Sequence, residues 1–175
     1  MTVERRAFVF ADYAQFCIRD ADAHDAAMRA GAAIDPNRAP GGWTKDASRL
    51  HRIGLEPHSI SVGTARIDVV EILLRTHETP PHLLPHAEHV VEADLDVTTG
   101  RVCIVGCLEA PTPEQEMSLA PGCYRVRVSY LPSAAAADAD PDVVGAHFLY
   151  LIDLWAAADP AALTVIKQGP SAWAL

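Results

Sequence analysis

The stretch Cys123-Tyr-Arg-Val-Arg-Val-Ser-Tyr130 constrains this chain more than any other. Tyr124, Val126, Val128 and Tyr130 alternate with Arg125, Arg127 and Ser129. Only an extended backbone, whose side chains switch faces at every residue, gathers the first set on one side and the second on the other. The segment therefore predicts a strand with its aromatic and valine side chains inward. Residues Val90–Val97 repeat the pattern, with Val91, Ala93, Leu95 and Val97 on one face and Glu92, Asp94 and Asp96 on the other. Thr98-Thr99-Gly100 reads as a hairpin turn. The return strand, 101–108, carries Val102, Ile104 and Leu108 on one side and Cys103, Val105 and Cys107 on the other, as expected of burial on both faces.

Residues 147–155 are apolar at both parities, which predicts a central strand. Shorter strands are expected at 7–10, 15–19, 59–64, 66–75 and 163–166. Helix is confined to an alanine-rich run, 21–33, checked by Gly31 and Pro36, and to 44–52. In the second, Asp46 near the start and Arg49, His51 and Arg52 near the end suit the helix dipole. The segment 133–145, rich in Ala, Asp and Pro, reads as a mobile loop. Strands do not alternate with helices, so a parallel α/β sheet is disfavoured. The expectation is a mainly all-β chain: an antiparallel β-sandwich of about eight strands with a short helical insertion near residues 21–52. No repeat or linker divides the chain, so 1–175 reads as one domain.

The 175 residues suffice for a substantial core, and half of them are hydrophobic. Apolar runs such as Phe148–Ile152, which stops at Asp153, fall far short of the ~20 residues of a membrane span. The N-terminal residues lack a signal-peptide pattern, which makes the cytoplasm the default. The four cysteines contain no C-x-x-C pair, and Cys103 and Cys107 on one strand face would stand about 13 Å apart, too far for a disulfide. Buried free thiols are expected. A formal charge of −9 argues against nucleic-acid binding and is compatible with a basic protein partner such as a nuclease.

Four of the eight histidines, His77, His82, His86 and His89, fall in HETPPHLLPHAEH. With Glu78 or Glu88 they offer a conceivable metal set, and hence an alternative reading as a metal-binding protein or metal-dependent enzyme. Their spacing matches no H-E-x-x-H motif, and Pro80, Pro81 and Pro85 prevent a helix from placing two imidazoles on one face. The favoured reading is a proline-stiffened crossover without metal or other cofactor. Nucleophile-elbow, P-loop and dinucleotide fingerprints are missing, so no catalytic residue is assigned and a non-enzyme is expected. Acidic residues are the candidates for contact with a partner: Glu92, Asp94 and Asp96 on one strand face, with Asp138, Asp140 and Asp142 on the long loop. Arg125 and Arg127 are expected to pair with the acidic row of a neighbouring strand.

Five pieces of the chain, in order, resemble the competence protein J (ComJ) family: QFCIRD (15–20), WTKD (43–46), HSISVGT (58–64), GCYRVRVSYLP (122–132) and HFLYLIDLW (147–155). They span roughly a fifth of the chain. The resemblance implies a non-enzymatic β-sandwich that binds and inhibits a nuclease, and it implies core positions for Phe16, Trp43, Tyr124 and Trp155. It carries over no functional residue.

Overall fold

Strands form wherever the alternation predicts them, and in two further places. The computed structural model describes residues 3–31 and 39–169; the expected helix end beyond Gly31, the start of the loop at Asn37 and the tail around Trp173 lie outside the described residues. In chain order the elements are β1 (Val3–Phe10), β2 (Gln15–Asp20), α1 (Ala21–Arg29), β3 (Ile53–Glu56), β4 (Ser59–Gly63) and β5 (Val69–His77). They continue with β6 (His89–Val97), β7 (Arg101–Gly106), β8 (Glu116–Ser118), β9 (Gly122–Pro132), β10 (Phe148–Ala156) and β11 (Thr164–Lys167). The chain is mainly β, with two sheets of the order β1-β5-β10-β9-β6-β11 and β3-β4-β2-β7-β8.

Two features depart from the expected antiparallel set of about eight strands. Strands β3 and β8, of four and three residues, are too short to show a period. And β10 pairs in parallel with β5, Asp153 facing Arg75, while pairing antiparallel with β9. The expected helix over 44–52 is a single π-type turn at Ala47–His51, closed by the Arg52 N–H donating to the Ala47 carbonyl at 2.7 Å. Arg52 then enters the left-handed region at φ 60°, which ends the turn.

The sheets share one apolar core. Phe16 and Ile18 of β2, Ile60 and Val62 of β4, and Val102 and Ile104 of β7 meet Ile72, Val91, Leu95, Val126, Val128, Tyr130, Tyr150 and Ile152 of the six-stranded sheet. Two tyrosines at its centre keep their hydroxyls satisfied: Tyr130 donates toward the Arg52 and Gly63 carbonyls (3.1 and 3.0 Å), and Tyr150 accepts the Ala65 N–H at 3.1 Å. Phe16 and Tyr130 each meet Tyr150 edge to face, with centroids 5.4 and 5.1 Å away. Of the residues the resemblance places in the core, Phe16 is fully enclosed and Tyr124 packs against the core edge. Trp155 is buried on the opposite face of its sheet, and Trp43 is half-buried near the five-stranded sheet.

The outer face of the six-stranded sheet is not simply water-facing. Residues 78–88 cross it between β5 and β6, and Leu84 and Ala87 pack there with Leu73, Val90, Leu131, Leu149 and Leu151. The prolines of this crossover prevent regular structure, and its polar anchors come from neighbours. Arg127 donates to the Pro81 carbonyl at 2.6 Å, and the Lys167 ammonium donates to the carbonyls of Pro85 and Ala87 at 3.2 and 2.5 Å.

The loop after β9, expected to be mobile, is tied down. Arg66 donates to the carbonyls of Asp140 (2.7 Å), Gly145 (3.1 Å) and Val143, and the Asp68 carboxylate accepts the Asp140 N–H. Of the thiols expected to be buried, only Cys103 is; Cys17, Cys107 and Cys123 are half-buried. Cys107 lies beyond the end of β7, so it does not share a strand face with Cys103.

Candidate functional site

The outer face of the six-stranded sheet carries an alternating charge ladder at one register: Arg75, Asp153, Arg127 and Glu92 stand side by side across β5, β10, β9 and β6. The expected pairing of Arg125 and Arg127 with the acidic row is present. Arg127 donates to Glu92 at 2.7 Å with its guanidinium carbon 5.0 Å from the Trp155 ring centre. Arg125 donates to Glu92 at 3.2 Å and to Asp94 at 2.9 Å. It also reaches the carbonyls of Ala161 and Ala162 and the Thr164 hydroxyl, which engages all five of its N–H groups. Both guanidinium groups are nearly enclosed, so a fixed planar fork of donors suits them better than a flexible ammonium would.

These pairings determine what the acidic candidates present to solvent. Glu92 and Asp94 are committed to arginines and mostly covered, whereas Asp96, at the end of the row, is exposed. Asp138, Asp140 and Asp142 are exposed on the loop, where the Asp140 carboxylate accepts the Asp142 N–H at 2.9 Å. The structure does not bring the two acidic groups together. Asp96 faces Cys123 at the start of β9, and the loop leaves Pro132 at its end. The intervening strand separates them by about 30 Å.

The four clustered histidines diverge. His77 meets the Asp153 carboxylate at 2.7 Å beside Arg75, which approaches the same oxygen at 2.8 Å. His82 and His86 are exposed on the crossover. His89 is enclosed, its Nε2 3.0 Å from the His51 carbonyl and its Nδ1 accepting the Gly169 N–H at 3.1 Å. Burial drives its pKa down to about 4, with the charges of Arg52 and His51 adding to the effect. Among the described residues no group of three or more His, Cys, Asp or Glu side chains is arranged to hold a metal ion. The histidine-based metal alternative thus lacks a convergent ligand set, because the prolines extend the crossover and its imidazoles point to separate surroundings.

A second site, not anticipated from the sequence, lies on the outer face of the five-stranded sheet. It is a cavity of about 470 Å³ lined by Tyr13, Gln15, Cys17, Arg19, His24 and Glu56, with Pro40, Gly41, Ser59, Ser61 and Cys107 completing it. Its origin is the small size of the outward side chains of β4. Ser59 and Ser61 face out while Ile60 and Val62 face the core. The serines form a low floor between longer side chains on β3 and β2. In one register row Glu56, Ser59 and Arg19 stand on adjacent strands.

One wall is built by the turn at 39–43. Gly54 of β3 lets that turn lie against the strand, since a Cβ there would sit 2.1 Å from the Gly41 carbonyl oxygen. The Gly41 N–H then donates to Glu56 at 2.8 Å, and the Trp43 indole donates to the Gln15 side chain. His24 of α1 is held by the Pro57 carbonyl at 2.8 Å, with its other nitrogen 3.8 Å from Glu56. At the rim, Tyr13 and Ala14 are both left-handed, at φ 53° and 55°. The thiol of Cys17 donates to Cys107; this hydrogen bond draws the Cys107 pKa down to about 7 and pushes that of Cys17 up. Signals for the cavity, two serines alternating with apolar residues in HSISVGT, were visible in the sequence, but not which side chains would flank them.

No protein-family model matches the chain, and no curated protein matches it in sequence. Two solved structures share its fold. One is ComJ from Bacillus subtilis, described as an inhibitor of the DNA-degrading activity of NucA. It is 18% identical, with 90% of this chain and 99% of that one covered at a TM-score of 0.59. The other, described as crocagin biosynthetic gene J, is 16% identical, with 89% and 98% covered at a TM-score of 0.51. The chain therefore has a ComJ-like fold, and at these identities the likeness is one of fold alone. No helix among the described residues is long and apolar enough to cross a membrane.

Proposed function

We propose that this chain is a non-enzymatic, cytoplasmic protein-binding module, a single β-sandwich unit over residues 1–175, that inhibits a basic partner such as a nuclease through its acidic surface. The fold it shares with a nuclease inhibitor over 90% of its length carries this reading. The charge of −9 supports it, since complementary charge speeds the encounter with a basic partner. The contact residues are those of the two acidic groups, Glu92, Asp94 and Asp96 at one end and Asp138, Asp140 and Asp142 at the other. Within them Asp96, Asp138 and Asp142 present the accessible charge, and Glu92 and Asp94 supply a rigid, arginine-braced base.

The test is titration against nucleases encoded near its gene, with DNA cleavage as the second readout. Dissociation constants below about 1 μM that weaken with added salt are expected. Asp96→Lys and the combined Asp138→Lys and Asp142→Lys variants separate the two ends, and the end that binds slows association when its charge is reversed. Unchanged binding in both variants would remove the acidic surface from the mechanism, and failure of every nuclease to bind would remove the inhibitor reading.

A further inference from the structure

We propose that the cavity on the outer face of the five-stranded sheet is a binding site for a small carboxylate, with Arg19 as its anchor. Three of the buried arginines show what such a group requires. Arg66, Arg125 and Arg127 are each held by at least one carboxylate and one carbonyl. Arg19 lines the cavity with no carboxylate or carbonyl of a described residue on its guanidinium; its side-chain partner is the Cys103 thiol beside it on β7, and its Nε is shut away from solvent without a partner. Enclosed polar atoms left without a partner are rare in folded proteins.

The surroundings define the ligand. The two carboxylates of the same row, Glu56 across Ser59 and Glu116 across Cys103, each stand two strands away, about 10 Å, and Glu116 is paired with Arg101. Glu56 is itself occupied by the Gly41 N–H and faces His24. A planar carboxylate can sit over the serine floor and accept two parallel N–H bonds from the guanidinium fork. The Ser59 and Ser61 hydroxyls provide further donors beside it. A dianion is disfavoured, because Glu56 stands on the opposite wall and the chain as a whole carries −9. At about 470 Å³ the cavity falls within the size of small-molecule sites. The half-buried Cys107 on its wall offers a reporter of occupancy. The proposal is independent of nuclease inhibition, because it concerns the other sheet.

The experiment titrates the full chain with acetate, propionate, butyrate and inorganic phosphate by calorimetry, with acetamide and butyramide as uncharged controls. Iodoacetamide labelling of Cys107 is followed in parallel by mass spectrometry. Saturable binding of at least one carboxylate, with slower Cys107 labelling and no binding of the amides, is the expected result. Arg19→Gln weakens it at least about tenfold, and Arg19→Lys by less, because the charge remains but the fork is lost. Ser61→Leu, which fills the floor and leaves Arg19 in place, abolishes binding in protein whose circular dichroism matches wild type. The proposal is overturned if no carboxylate saturates, if Arg19→Gln binds as tightly as wild type, or if phosphate binds at least as tightly as every carboxylate.

Discussion

The Nδ1 atom of His89 accepts the backbone N–H of Gly169 at 3.1 Å, which leaves Nε2 as the protonated nitrogen, donating to the His51 carbonyl at 3.0 Å. This arrangement is complete for a neutral imidazole. A second proton would place an N–H against the Gly169 N–H in a site enclosed from water and near Arg52.

Acid should therefore destabilise the protein before its carboxylates titrate. His89 is near 6.5 in the unfolded chain and about 4 in the folded one, so between those values the unfolded chain holds more protons. Stability is full above about pH 6.5 and falls as pH drops toward 4, by on the order of 3 kcal/mol from this group. Urea denaturation at a series of pH values checks it. His89→Gln lowers stability at neutral pH but flattens the slope in that window; an unchanged slope would place its origin elsewhere.

Asp20 joins three elements. Its carboxylate accepts the Ala23 N–H at 3.3 Å, capping α1, and accepts the N–H groups of Thr98 and Thr99 and the Thr99 hydroxyl (2.8, 2.7 and 2.5 Å) in the β6–β7 turn. Burial works to raise its pKa, but these donors outweigh burial and hold it below the ordinary carboxylate value. The stabilisation is present above the unfolded pKa and is lost as pH falls through the lower folded one, a window below that of His89. Asp20→Ala is expected to lower stability by about 2–3 kcal/mol, from the lost cap and the orphaned turn amides. Amide exchange should accelerate at Thr98 and Thr99 together with Ala23; a change confined to α1 would contradict the link.

Arg127 braces both the charge ladder and the crossover. Truncation to Ala leaves its partner Glu92 with Arg125 alone and frees the Pro81 carbonyl, and should cost about 3 kcal/mol. A double-mutant cycle with Glu92→Ala should give a coupling of about 1–3 kcal/mol. Limited proteolysis should cut first between Pro81 and Pro85 in Arg127→Ala, and resistance there would show that Lys167 and the Leu84 contact suffice to hold the crossover.

Gly54→Ala tests the wall of the cavity. The added methyl meets the Gly41 carbonyl oxygen and must displace the turn at 39–43. A loss of about 1–3 kcal/mol is expected, with increased solvent exposure of the Trp43 indole read by its fluorescence. Wild-type fluorescence and stability together would mean that the turn gives way without strain.

Much of this architecture was legible because a strand with one dry face writes its own period. In β6 and β9 the alternation also predicted the cross-strand ion pairs, since the acids of one and the arginines of the other fall on the same face. Which strands would neighbour each other was not legible. Nothing local to 69–77 distinguishes a parallel partner from an antiparallel one, and β3 and β8 owe their state to pairing. The acidic residues were visible one by one, but their division between opposite ends of β9 depends on topology. The cavity escaped notice for a related reason: it is defined by short side chains at 59 and 61 and longer ones at 19 and 56, which only sheet order makes adjacent.

The parallel pairing of β10 also governs the order in which the protein can be assembled. Strand β10 occupies the slot between β5 and β9, and it is synthesised after both. Until residue 156 has left the ribosome, β5 has no partner on that side and β9 cannot reach it. The two halves of the large sheet remain separate until a late strand zips them together. Most tertiary contacts thus bridge distant parts of the chain, a topology that folds in milliseconds to seconds rather than microseconds. A nascent chain halted shortly before Phe148 would carry an apolar, unpaired β5 edge, which makes the interval before β10 emerges the one in which this protein depends most on protection from aggregation.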